Sequence, residues 1–138
     1  MNPLLPVLIP LAAGAVGVLL TNFVLKPYLE YRKLLHVISY TLIFHTGLIR
    51  STKFSEARED HVKVLNEIRG LAVKLRLSRN AALQELDLMP SNNNLKEAAG
   101  LMFRVSGRMY QETKPIEELT ADIKRIGQLL KIDIGSWE

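Results

Sequence analysis

No cysteine occurs in the chain, and that absence excludes disulfide frameworks, thiolate nucleophiles and cysteine-ligated zinc. Charge is also missing, but only locally. From Pro3 to Leu25 there is no Asp, Glu, Lys or Arg, and all 18 Lys and Arg lie from Lys26 onward. Aromatic residues make up 7% of the chain and form no stacking platform among the basic ones, so sequence-specific nucleic-acid binding is not expected. The P-loop, the dinucleotide-binding glycine pattern, the G-x-S-x-G elbow and the kinase motifs are all absent. No catalytic residue, cofactor or metal set is expected, and the chain reads as non-enzymatic.

Pro3–Leu25 covers 23 residues, of which 13 are Leu, Ile, Val or Phe. As a helix it would extend ~34 Å, enough for a hydrocarbon core of ~30 Å. A cleaved signal peptide would explain Ala13-Gly14-Ala15, but no basic residue precedes the apolar run, which continues ten residues further. A buried soluble helix is the other alternative, and so long an uncharged segment is hard to hide in a domain of this size. The expectation is therefore a transmembrane helix over residues 1–26 and a cytoplasmic all-helical domain over 27–138.

Lys26, Arg32 and Lys33 crowd the far side of the apolar run, which places the N-terminus outside and the domain inside. With Tyr28 and Tyr31 they form the expected membrane-interface set. Within the run, Pro10, Gly14, Gly17 and Thr21 share a stripe, and Ala13 pairs with Gly17 in a small-xxx-small spacing. Small residues let membrane helices approach closely, so this stripe is a candidate oligomer face. Pro6 and Pro10 are expected to bend the outer third, because each removes a backbone donor.

Leu34–Ile49 is again uncharged, but it is short and carries two histidines, so it reads as a core helix. A second membrane crossing is the alternative. It would export Arg50, Lys53 and Arg58 against the charge rule. Pro27–Arg50 is thus expected to continue the first helix, with Tyr31, Leu35, Ile38, Leu42 and Ile49 inward. Further helices are expected at about 56–77, from Ser78 to about Asp87, at about 92–112 behind a Ser91 cap, and from Pro115. Ser55 is expected to cap the second helix. The fold class is all-α: a transmembrane helix continuing into a bundle of about four to five helices.

The continuation "KPYLEYRKLLHVISYTLIFHTGLI" and the helix start "PSNNNLKEAAGLM" resemble small bacterial membrane proteins without an assigned function. The resemblance implies a bacterial origin and carries over no site residue.

The three histidines do not pair as ligands. His36 and His45 stand nine residues apart on opposite helix faces, and His61 reads as structural. Charge is more informative. Lys26–Arg79 holds 11 basic and 5 acidic residues, Asn80–Glu138 7 and 9. Anionic lipid attracts such basic residues. Lys74, Arg76, Arg79, Arg104 and Arg108 are the candidate anion-binding set. Arg104 and Arg108, four apart on one helix, repel unless neutralised by an anion such as a nucleotide phosphate, or by Glu97 and Glu112. The expected partners are membrane lipids and a homo-oligomer or larger membrane complex. The leading expectation is an interaction or effector protein at the inner face of a bacterial membrane. A nucleotide-gated effector of prokaryotic defence and a complex-anchoring subunit are the alternatives.

Overall fold

The computed structural model describes residues 3–46, 49, 58–109 and 116–135. It contains α1 (Leu5–Leu20), a π-turn (Thr21–Leu25), α2 (Lys26–Phe44), α3 (Arg58–Leu77), α4 (Ala81–Glu85), α5 (Asn92–Arg108) and α6 (Ile116–Leu130). No strand occurs among the described residues. Leu5–Phe44 is one uninterrupted helix of 40 residues, and its apolar half is the one described helix long and apolar enough to cross a membrane. No α1 side chain is buried, which excludes the reading of this segment as a hidden core helix.

The apolar stripe of each remaining helix meets the others in one core. Ile38 and Leu42 of α2 pack with Ile68 and Leu75 of α3, Met102 of α5 and Ile123 of α6. The face expected of α2 is the face that is buried, so this segment is a core helix. Side-chain contacts fix the helix directions. His45 reaches Glu67 of α3, whereas the start of α2 shares a cleft with Lys74 and Leu77, so α3 runs antiparallel to α2. Arg69 bonds Ser106 of α5, while Arg76 faces Asn92, which makes that pair antiparallel too. Arg104–Asp122 and Glu97–Arg125 set α6 antiparallel to α5. The bundle therefore has a near end, next to α1, and a far end.

Local chemistry explains most boundaries. Pro27 cannot donate to the Phe23 carbonyl, and its ring crowds that turn. The turn just before it is a wide one, with the Lys26 N–H donating back to the Thr21 carbonyl. Pro6 lies in the first turn of α1, where a missing donor costs nothing; Pro10 alone removes an interior bond. Ser91 caps α5 as expected, accepting from Asn94 N–H at 3.3 Å. The cap of α4 is Asn80, not Ser78: Asn80 Oδ1 accepts from Leu83 N–H at 3.1 Å, while Ser78 Oγ donates back to the Leu75 carbonyl. The expected Ser55 cap and the Pro115 helix start lie outside the described residues. Beyond α6 the chain reverses at Lys131 (φ 54°), and the Ser39 hydroxyl bonds the Asp133 carbonyl, pinning this tail along α2.

Tyr31 departs from its expected interfacial role. It is only 3% exposed, and its hydroxyl is buried without a hydrogen-bond partner among the described residues. The ring belongs to the core, where an unmade bond costs about 1–3 kcal/mol. Tyr31→Phe should therefore raise stability by about 1 kcal/mol in denaturant titration of the full chain. A loss of that size would mean that the hydroxyl has a partner after all.

Candidate functional site

Three surface features deserve comparison: the paired arginines of α5, a basic cleft at the near end, and the outer face of the long helix. Arg104 and Arg108 stand one turn apart, and both turn toward α6. Arg104 Nε donates to Asp122 Oδ2 at 2.9 Å, and its Nη2 donates to Oδ1. Arg108 Nη1 reaches the same Oδ2 at 2.8 Å, while Nη2 bonds Glu118 at 2.9 Å. The hydrogen bond to Asp122 holds the Arg104 guanidinium above its ordinary pKa. The repulsion that called for an anion is relieved within the chain. Glu97 pairs instead with Arg125 at 3.2 Å, and Glu112 lies outside the described residues.

The other candidate basic residues divide differently. Arg76 and Arg79 line a cleft of about 250 Å³ with Asn92, Asn93, Leu95 and Lys96, and no carboxylate is among its walls within the described residues. Lys74 lies in the neighbouring cleft, where Arg79 recurs beside Pro27, Glu30 and Tyr31. Among the described residues, Arg76, Arg79 and Lys96 have no ion-pair partner within 4.0 Å, in contrast to Arg104 and Arg108. Sequence reasoning missed Lys96. It lies one turn after Asn92 on α5, in reach of the end of α3 because the two helices are antiparallel.

The outer face of the long helix carries the small residues. Pro10, Ala13, Gly14, Gly17 and Thr21 are all exposed, and the Thr21 hydroxyl donates to the Gly17 carbonyl at 2.8 Å. A Cβ added at Gly14 or Gly17 would meet nothing within 4 Å, so this chain itself does not require either glycine. A π-turn adds about one residue to its turn, which displaces every face beyond it by roughly 100°. Counted with that extra residue, the Gly14–Gly17–Thr21 stripe continues at Leu29, Lys33, His36 and Tyr40. Without it, the stripe would run into the buried Tyr31 and Leu35. Tyr40 and Phe44 are 58% and 65% exposed, and their rings stack at 5.3 Å. Of the expected interface set, Lys26, Arg32 and Lys33 are exposed, and Tyr28 packs partly against the core.

No three His, Asp or Glu side chains gather into a metal set among the described residues. No protein-family model matches the chain, and neither curated proteins nor solved structures give a significant match.

The ion pairs on Asp122 are structural, and their removal has a defined cost. Asp122 is 7% exposed, whereas Arg104 is 53% exposed, so the two partners are not equivalent. Asp122→Ala leaves the half-buried Arg108 with only the exposed Glu118 and Arg104 without its carboxylate, and should cost about 1.5–3 kcal/mol. Arg104→Ala, whose partner keeps Arg108, should cost about 1 kcal/mol or less in the same denaturant titration.

Proposed function

We propose that this chain is a non-enzymatic, membrane-anchored helical protein that associates with copies of itself at the inner face of a bacterial membrane. The observation that carries the proposal is the unbroken helix Leu5–Phe44, with its first half wholly exposed and apolar and its second half built into the bundle core. Leu5, Leu8, Ile9 and Leu11 are all about half exposed or more. Burial of each such side chain is worth roughly 1.5–3 kcal/mol, so water is a poor environment for this segment and hydrocarbon a good one. Lys26, Arg32 and Lys33 directly after it favour the cytoplasmic side for the bundle.

Self-association is supported by the outer face. Glycines that the chain does not use internally align, across the π-turn, with an exposed Tyr40–Phe44 stack. A second copy would pack helix backbones closely at Gly14 and Gly17 within lipid and aromatic rings beyond it. The rigid helix then links association in the membrane to the position of the bundle.

Gating by an anionic nucleotide is a second reading, favoured by the basic cleft alone, since the arginine pair on α5 is already neutralised by Asp122. The reading of an anchoring subunit for a larger complex has no observation of its own.

The chain lacks cysteine, which makes disulfide trapping specific. Tyr40→Cys in carbonate-washed vesicles should give a covalent dimer on mild oxidation, and Lys63→Cys on the exposed side of α3 should not. Adding Gly14→Leu with Gly17→Leu should reduce the Tyr40→Cys dimer about ten-fold or more, an effect of ~1.4 kcal/mol. Equal trapping at both positions, or monomer throughout, refutes the self-association. Release of the chain by carbonate refutes the anchor.

A further inference from the structure

The near end of the bundle has features that membrane anchoring by one helix does not require. α4 packs against the π-turn Thr21–Leu25, so a second element lies at the depth where the apolar run ends. Around α4, Leu77 is 79% exposed and Leu86 is 57% exposed, while Leu75, Leu83 and Met89 close to them in the chain are buried. Beside them Arg76, Arg79 and Lys96 converge on one cleft, with Asn92 and Asn93 as its remaining polar walls. Arg79 also borders the cleft that reaches Pro27 and Glu30, within two turns of Leu25. Carboxylates do occur at this end: Glu30 is in the second cleft and Glu85 and Asp87 lie on and after α4, but among the described residues none lines the first.

We propose that this end of the bundle is a lipid-docking surface. The Arg76–Arg79–Lys96 cleft binds the phosphate of an anionic phospholipid headgroup, while Leu77 and Leu86 enter the headgroup–acyl boundary. The inference rests on the reading of α1 as a membrane helix, and deepens it: the bundle lies against the leaflet and does not swing free from α2. Depth and chemistry agree. Leucines next to guanidinium and ammonium groups, at the level where an apolar helix ends, match a surface that is hydrocarbon on one side and phosphate on the other. The uncompensated positive charge is directed to that surface because the other cations of α5 and α6 that form ion pairs do so elsewhere in the bundle.

The test uses the full chain in vesicles of phosphatidylcholine, with or without one-third phosphatidylglycerol. An environment-sensitive fluorophore is placed on Glu85→Cys of α4, or on Glu117→Cys at the far end as a control. Lipid-borne shallow quenchers should quench the Glu85 position in the anionic vesicles and leave the Glu117 position bright. Arg76→Gln, Arg79→Gln and Lys96→Gln are exposed changes. Each should lower the docked-to-undocked ratio by about five-fold, additively in logarithm, with flotation unchanged. Leu77→Gln gives an independent reduction from the apolar side.

Equal quenching in neutral and anionic vesicles, or quenching indifferent to all three basic substitutions, overturns the proposal. So does loss of quenching on adding inorganic phosphate but not chloride of equal ionic strength, because the cleft would then serve a free anion. Failure of the wild-type chain to float with vesicles marks failure of the anchor itself, which is read separately.

Discussion

A single helix has to satisfy two solvents. From Leu5 to Leu20 nothing in the chain covers its side chains, and from Tyr31 to Leu42 the bundle covers one face completely. The backbone does not break between the two regimes, so the position of the bundle is fixed by the direction of α1. Folded domains are stable by only about 5–15 kcal/mol. A segment with this many exposed leucines therefore cannot be treated as an appendage of a water-soluble bundle. Its environment is part of the fold.

The π-turn is the joint between these regimes, and its position follows from one residue. Pro27 denies a donor to the turn before it, and the wide turn absorbs the conflict without ending the helix. The consequence is rotational. In a regular α-helix the small stripe of the apolar half and the core stripe of α2 would be the same face, and the bundle would sit over the continuation of the glycines. Displaced by about one residue, the two faces separate. One is left to the bundle and the other to whatever approaches from outside, which is how one helix can carry both a core and an interface.

Periodicity made the buried faces legible in the sequence. Leu95, Ala98, Met102 and Val105 of α5 and Leu119, Ile123 and Ile126 of α6 are buried as their spacing implies, because amphipathic helices in so small a bundle have only one way to hide an apolar stripe. What periodicity could not supply was the relation between helices. Asp122 stands on the inward stripe of α6, three residues after Leu119 and one before Ile123, and a lone carboxylate there signals a buried cation partner. That the cations would be Arg104 and Arg108 depends on the antiparallel register of α5 and α6, which no local pattern states. Asn80 was missed as a cap for a simpler reason: Ser78 is an equally good residue for the role, and two residues decide where α4 begins.

The distribution of charge in the folded chain differs from its distribution along the sequence. The sequence shows a basic first half and a slightly acidic second half. Folding pairs Glu67 of α3, Glu97 of α5 and Glu118 and Asp122 of α6 with His45, Arg125, Arg108 and Arg104, toward the middle and far end. Among the described residues, Arg76, Arg79 and Lys96 are left at the near end without such partners, close to the start of α2 with its own Lys26, Arg32 and Lys33. Cations without partners repel one another, and a bundle that only needed to be stable would gain from distributing them. Their concentration next to the apolar helix is consistent with a counter-charge supplied from outside the protein. On the proposed docking, a leaflet of phosphates would supply that charge, and the same surface would accept the leucines that the bundle leaves uncovered.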